Sequence, residues 1–495
     1  MNRILLLALL VVLPLLAGPR DFKIRLSTAG GAATLELPLE RYVAGVLGGE
    51  SSVFRSGEAL KAMAVVARTY AVRMRGRHAA EGFDFCSTTH CQRLDLNAIT
   101  PRLETAVTVT EGELLWYEDK PAFTPYSRDC GARAEAVAAV WPDIRAPYLG
   151  CHDDPYCSRT GANRWQWRAE PDEIAEALRR SGLRAPRRLE QIAVTQRTAS
   201  GRASRLTLAG AEESLRIDAE PFRLAIGRAL GWNKVPSDLY QVRAASGRLV
   251  FEGRGSGHGV GLCQRGADEM GVEGRSYREI LALYYPGAVP GLTARGLSWQ
   301  RLAGDAITLA TTQPDHDGEV LAIAERQLRL IAQRTGWPPP AGIEIRIYPD
   351  IDCFRNATGE PGWVAAHTSG RRVHMQPAAV LRSRDALEST VRHELLHVAV
   401  ESQAAPRLPA WFREGLAGFL ERPAAQTGAI KIPSDTDLRQ TSDPARARRA
   451  YAQAAQTVAA LVGRYGETTV FGWLQRGLPP ELKNASASQP ATKSR

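Results

Sequence analysis

The pentapeptide His393-Glu394-Leu395-Leu396-His397 places two imidazoles four residues apart. On a helix that spacing is about one turn, so both rings share a face and can converge on one metal ion. Glu394 then stands beside the ligands, where a carboxylate can take a proton from a metal-bound water. Zn2+ suits such a site, since it takes about four tetrahedral ligands and, when catalytic, leaves one position to water. A third protein ligand is needed, and the stretch Trp411-Phe412-Arg413-Glu414-Gly415-Leu416-Ala417 offers Glu414. The competing reading is a chance match on an amphipathic helix, which the Glu-Gly-x-Ala segment downstream makes much weaker.

Three segments of the first half also carry residues able to do chemistry. Gly48-Gly49-Glu50 sets a carboxylate behind two glycines, where little side-chain bulk covers it. Glu58, Lys61, Val65 and Arg68 follow at helical spacing on one face. Gly257-His258-Gly259-Val260-Gly261-Leu262-Cys263-Gln264-Arg265-Gly266 flanks a His and a Gln with glycines, a backbone open enough for a tight turn or a ligand. Each has a plainer reading: a glutamate capping or solvated near a helix end, a solvated charged face, a turn histidine bonded to backbone.

The elements that must position these groups follow from periodicity. Phe22–Ser27 alternates as a strand. Leu39–Leu47 and Gly57–Arg75 read as helices, with Glu50 in the break between them. Strands are expected at 192–198, 205–209 and 214–218. Ser246-Gly247 turns a hairpin between Tyr240–Ala244 and Arg248–Glu252. A helix near Tyr277–Tyr285 ends at Pro286-Gly287. Beyond Gly296 the character changes: a strand at 306–310, a helix at 319–334 stopped by Gly336 and three prolines, a strand at 343–348, and a hairpin turned at Ser369-Gly370. Helices follow at about 386–401, 409–421 and 447–465. The expected fold class is therefore α+β and multidomain.

With 495 residues, more than one core is expected. Hydrophobic content of 44% and charged content of 23% are those of a globular protein. Arg3 followed by the apolar run Ile4–Ala17 and then Gly18-Pro19 reads as a secretory signal over residues 1–19, shorter than the roughly 20 residues a membrane span requires. Leu15 stands where a small residue is preferred for cleavage. The expected location is exported, periplasmic or cell-wall associated. A net charge of +10 suits polyanionic surroundings, yet the arginines are scattered without a long basic run, so no nucleic-acid partner is expected. Seven cysteines cannot all pair within one chain, and Cys151–Cys157 is a disulfide candidate in an oxidising compartment. The tail over 477–495, rich in Ser, Ala, Lys and Pro from Lys483, reads as disordered.

Around HELLH and WFREGLAGFL, from about Ala306 to Gly472, the chain resembles the peptidase MA-like (gluzincin) metallopeptidases. That resemblance implies a mainly helical zincin-type domain with a small sheet over 299–476, Zn2+ held by His393, His397 and Glu414, Glu394 as general base, and a peptide or protein substrate. Family members often place a tyrosine near the oxyanion, a role open to Tyr451.

LPLERYVAGVLGGE, EALKAMAVVARTYAVR, the CSTTHCQ stretch, AVAAVWPDIRAPYL and GSGHGVGLCQRGADEMGVEGRSYREILALYYPG together resemble the SpoIID/LytB family, in that family's order from about Phe22 to Leu292. The resemblance implies an α+β domain over 20–298 acting on peptidoglycan glycan strands as a lytic transglycosylase, with Glu50 as catalytic acid. Such an enzyme needs no second carboxylate, because the sugar's own C6 hydroxyl attacks as Glu50 turns from acid to base. Arg68, Tyr70, His258 and Gln264 fall on matching positions as candidates for lining the cleft. Some family members also bind zinc near the cleft through a His and two Cys. Here His78, Cys86 and Cys91 match, with His90 as an alternative ligand and a Cys86–Cys91 disulfide as the competing outcome. Other relatives enhance an amidase, which gives the alternative of a non-catalytic glycan-binding module that positions the peptidase, with a cell-wall amidase as partner. The chain departs from the family pattern at Ser51-Ser52, where Met-Pro is usual, and at Cys130-Gly131-Ala132-Arg133, where a Gly-Gly-x-Thr turn is common.

Overall fold

The computed structural model describes residues 22–28, 31–50, 53–159, 164–405, 408–422, 430–434, 438 and 444–482. The expected secretory signal and the tail from Lys483 lie outside these, whereas 477–482, expected as the start of a disordered tail, packs on the second unit with Leu478 and Leu482 buried. Contacts divide the chain into two compact units, one over Asp21–Leu297 and one from Ser298 onward.

In the first unit, the strands Phe22–Thr28 and Gly31–Leu37 pair antiparallel, and the short strand Phe85–Cys86 joins the first in parallel. The helix Gly57–Arg73 is the hub. Its run of alanines, valines, Leu60 and Met63 is buried around almost its whole circumference, so it serves as core rather than as an amphipathic cover. Ser56 caps it, its hydroxyl accepting from the amides of Glu58 and Ala59. The helices Leu39–Glu50, Pro101–Val109, Gln264–Val272 and Tyr277–Tyr284 pack on this hub. Helices at Pro101–Val109, Pro171–Arg180 and Ala219–Leu230 were not expected from periodicity.

Two three-stranded antiparallel sheets form a satellite core around Trp167, Phe222 and Phe251. One is Leu189–Arg197, Ala203–Gly210 and Ser214–Asp218; the other is Arg164–Ala169, Arg248–Arg254 and Tyr240–Ala245. The latter contains the expected two-residue hairpin: Ala245 pairs with Arg248, and Ser246 and Gly247 both take positive φ (53° and 75°), as a type I′ turn requires.

The second unit holds a five-stranded mixed sheet in the order Gln300–Ala303, Ile307–Thr311, Ile343–Ile347, Arg372–Met375, Ala366–Ser369. The three central strands run parallel and both edges antiparallel. The helix Pro314–Thr335 connects the first parallel pair and ends at Gly336 with φ 68°. It begins five residues ahead of expectation, because Pro314 is favourable in a first helical turn. The helices Leu387–Gln403, Ala410–Glu421, Pro444–Tyr465 and Glu467–Arg476 complete the unit. The second hairpin turns at Gly370-Arg371, with Ser369 still paired to Arg372. The sheet is larger than periodicity suggested, since Gln300–Ala303 is a largely exposed edge strand without apolar alternation.

Candidate functional site

Glu50 is the last residue of its helix rather than a member of a break. It is half-buried, and the side-chain amide of Gln264 donates to its Oε2 at 3.1 Å. Burial raises its carboxyl above the usual carboxylate range, against the lowering effect of the Gln264 hydrogen bond and of Arg93 and Arg128. Both arginines are exposed, forming a cationic rim. Tyr126, Gln92, Arg93 and Arg128 were not singled out in the sequence. Burial, then the nearby Glu50, raises the phenol of Tyr126, which bonds to Gln92, and Gln92 in turn accepts from the Tyr42 hydroxyl at 3.0 Å. Nothing in their types or spacing marked them.

The glycines before Glu50 have a different purpose from uncovering the carboxylate. A Cβ on Gly48 would lie 2.3 Å from the Asp95 carbonyl oxygen, and one on Gly49 would lie 2.3 Å from that of Arg93. They let the 93–98 segment press on the end of the helix, pinned by the Asp95 amide bonded to the Gly45 carbonyl at 2.9 Å.

The glycine-histidine segment works in the same way. Gly255, Gly257, Gly259 and Gly261 all take left-handed φ, and a Cβ on Gly261 would sit 2.0 Å from the Pro125 carbonyl. The openness serves contact between two chain segments and sets Gln264 at the start of its helix. His258 sits in this turn. Its Nδ1 accepts from the Val260 amide at 3.0 Å, its ring meets the Trp141 edge, and the Tyr126 backbone provides a further hydrogen bond. Burial, with Arg223 and Arg202, holds its pKa down at about 3, so the ring is neutral. Both partners are backbone, which makes His258 a clamp on the Tyr126 segment.

Two expected cleft residues lie elsewhere. Arg68 is fully buried. Its Nε and Nη2 donate to the two carboxylate oxygens of Glu40 at 2.8 and 2.6 Å, and further bonds reach Thr110 and the carbonyls of Val107 and Glu113. A guanidinium so satisfied braces three helices and has no donor left for sugar. Tyr70 is likewise in the core, its hydroxyl accepting from Arg77 at 2.7 Å.

His78, Cys86, His90 and Cys91 converge, with their ligand atoms all within 4.8 Å of one another. Cys91 Sγ lies 3.3 Å from His78 Nε2 and 3.7 Å from His90 Nδ1. Both thiols are free, so the competing disulfide is not formed. Two thiolates and two imidazoles make a zinc-type donor set. Glu81 holds the far nitrogen of His78 at 2.5 Å, the outer-shell arrangement that aims an imidazole lone pair at a metal. The Cys151–Cys157 pair is not formed either. Cys157 is buried beside Asp129, and Cys151 accepts from Arg133.

In the second unit, His397 Nε2 lies 3.0 Å from His393 Nε2 and 3.5 Å from Glu414 Oε2. Glu421, seven residues beyond Glu414 on the same helix face and not foreseen, takes His393 Nδ1 at 3.0 Å and so leaves that ring's Nε2 as the free acceptor. Burial pushes the Glu414 carboxyl up to about 7 and His397 down to about 3, so the carboxylate is disfavoured and the imidazole neutral, and a cation held between them would restore the carboxylate's charge. Glu394 is buried, its Oε2 accepting from Thr368 on the edge strand at 2.5 Å, and burial raises its pKa. Gly415, in the motif beside Glu414, permits close helix packing, since a Cβ there would lie 2.5 Å from the Ala454 carbonyl. Tyr451 spends its hydroxyl on the Leu438 carbonyl at 3.1 Å.

Residues 29–117 match the family described as Stage II sporulation protein. The first unit is thus similar to the SpoIID family over that stretch. Residues 137–261 match a domain of unknown function (DUF8618), so both matches fall in the first unit. Among relatives, an uncharacterized protein of Brachyspira hyodysenteriae is 32% identical over 254 residues, covering 51% of this chain and 66% of that protein. Stage II sporulation protein D of Bacillus amyloliquefaciens is 25% identical over 267 residues, covering 51% of this chain and 73% of its own. The amidase enhancer of Bacillus subtilis is 24% identical over 292 residues, covering 49% of this chain and 39% of that protein. The chain thus spans less than two thirds of the Brachyspira and amidase-enhancer relatives. Among the described residues, no helix is long and apolar enough to cross a membrane.

Proposed function

We propose that the chain remodels peptidoglycan, with the first unit cleaving glycan strands as a lytic transglycosylase. The observation that carries this reading is the half-buried Glu50 carboxyl, raised in pKa and oriented by Gln264. A carboxyl whose pKa is raised holds its proton to higher pH and can protonate the leaving glycosidic oxygen as oxocarbenium character develops. The resulting carboxylate then takes the proton of the C6 hydroxyl as that oxygen closes on the anomeric carbon, leaving a 1,6-anhydro end. The Gln264 amide, a donor to the same oxygen, stabilises the carboxylate between the two steps. The exposed Arg93 and Arg128 suit the acidic groups of wall polymers. The SpoIID match and the Stage II sporulation protein D and amidase-enhancer relatives support a cell-wall role.

The second unit is, in the same proposal, a zinc metallopeptidase. Zinc bound by His393, His397 and Glu414 would acidify a water and polarise a peptide carbonyl. Glu394 would take that water's proton on its carboxylate, and Thr368 would steady the carboxylate from the edge strand. Among the described residues the edge strand Ala366–Ser369 pairs on one side alone, which leaves the other for an extended peptide.

The test of the first unit is Glu50→Gln on peptide-free glycan strands, with products examined for anhydro ends. Release should fall by about 10^2- to 10^4-fold. Undiminished release removes Glu50 from its role and favours the second reading, a glycan-binding or amidase-enhancing module, for which the amidase-enhancer similarity speaks. For the second unit, Glu394→Gln should abolish proteolysis while zinc content stays unchanged. Zinc lost together with activity would make Glu394 a structural group rather than the base.

A further inference from the structure

Cys130, Asp154, Cys157 and Cys263 form a cluster that neither reading above uses. They come from three separate stretches of the first unit, all four are fully buried, and their ligand atoms lie within 4.8 Å of one another. We propose that these four residues bind a structural zinc ion, distinct from both metal sites already described. The donor set is three soft thiolates and one carboxylate, which selects zinc over magnesium or calcium. A tetrahedral ion with Zn–S bonds of about 2.3 Å sets neighbouring donors roughly 3.8 Å apart, so the cluster closes around it with sub-ångström shifts.

The surroundings are arranged as an outer shell. The amides of Cys130 and Gly266 both point at Cys263 Sγ, at 3.2 and 3.4 Å, and such amides stabilise sulfur as a thiolate. Asp154 is oriented at both oxygens: Oδ1 accepts from the Tyr156 and Cys157 amides, and Oδ2 accepts from the Tyr284 hydroxyl at 2.9 Å. Oδ2 keeps a lone pair toward Cys130 Sγ, 3.3 Å away. A side chain at position 266 would collide with this shell, its Cβ lying 2.2 Å from the Tyr284 hydroxyl and 2.5 Å from Asp154 Oδ2.

Binding releases the three thiol protons to solvent and leaves the site with a net charge of −2: three thiolates and a carboxylate against a dication. That is the charge of an ordinary four-cysteine zinc site. Three cysteines can form only a single disulfide with one thiol over, so oxidation alone leaves the cluster incomplete.

The position gives the ion a purpose. Cys263 immediately precedes Gln264, the residue that holds Glu50, so zinc here would tie the Cys130 turn, Asp154 and the short helix Pro155–Arg159 to the start of the helix presenting that amide.

The test uses the full chain loaded with Co2+, whose thiolate charge-transfer absorption scales with the number of bound sulfurs. Five thiolates contribute in the parent, two from Cys86 and Cys91 and three from the buried cluster. Cys86→Ser combined with Cys91→Ser should keep about three-fifths of the band and release one equivalent of metal. Loss of the whole band in that double variant overturns the proposal, as does mass-spectrometric recovery of a disulfide among Cys130, Cys157 and Cys263 in the native protein. Cys157→Ser should remove the larger part of the band. Should that variant not fold, alkylation of the parent keeps the test decisive: Cys130, Cys157 and Cys263 should react together only after chelation, and labelling unaffected by chelator counts against zinc.

Discussion

Replacing Arg68 by methionine separates a brace from a sugar-binding residue. Methionine keeps much of the stem's length and apolar packing but supplies no donor. Removing one partner of a buried ion pair costs about 3–5 kcal/mol, because the remaining charge is left uncompensated. Glu40, the remaining partner, has a side chain 24% exposed and can recover some hydration, which places the loss near the lower end, about 3 kcal/mol. In a unit of this size each kcal/mol shifts Tm by about 2–4 °C, so the first unit should melt roughly 6–12 °C lower. The assay is calorimetry of the full chain alongside glycan cleavage measured well below the transition, where the folded fraction of the variant should turn over normally. Glu40→Gln, which leaves the arginine with a neutral acceptor, should lower Tm less than Arg68→Met. An unchanged Tm with cleavage abolished would refute the reasoning and return Arg68 to the groove.

Three further outcomes follow from the same geometry. Gln264→Leu removes a hydrogen bond that lowers the Glu50 pKa, so the alkaline limb of the pH–rate profile, where the acid loses its proton, should move to higher pH as the maximal rate falls; a limb that moves down or stays put contradicts the assignment. Glu50→Gln should also raise Tm, but only at higher pH. With a folded pKa above the unfolded value, the wild-type carboxyl costs nothing below the unfolded pKa and becomes destabilising as pH rises through the folded one, so equal Tm at all pH values would argue against desolvation. Gly49→Ala drives a Cβ against backbone at Arg93 and should cost about 1–3 kcal/mol along with activity, whereas Gly57→Ala, with nothing within 4 Å, should be neutral or slightly stabilising in the same melting assay.

Local chemistry made some of this structure legible and left other parts hidden. Ser246-Gly247 announced its hairpin because two residues with positive φ leave few alternatives, and the HELLH spacing placed two imidazoles together because a helix has one geometry. Glu50 and Gln264 could be paired only through a family pattern, since 214 residues separate them and nothing in either segment specifies the other. The same pattern misled at Arg68 and Tyr70: a residue recurring beside a catalytic segment can be there to hold it, and burial, invisible to spacing, decides which. The glycines at 48 and 49 suggest an uncovered carboxylate, whereas what they admit is another stretch of the chain. Glu421 was within reach, since it repeats the Glu414 face two turns on, but an outer-shell carboxylate has no signature until the imidazole it orients is in place.

Because Glu50 ends its helix, it lies at the negative pole of that helix. At that pole the main chain itself disfavours a negative charge, an effect beyond the reach of any side-chain substitution. A scan of every neighbouring residue would leave that share of its acidity in place, whereas breaking the last helical turn, with each side chain retained, would release it.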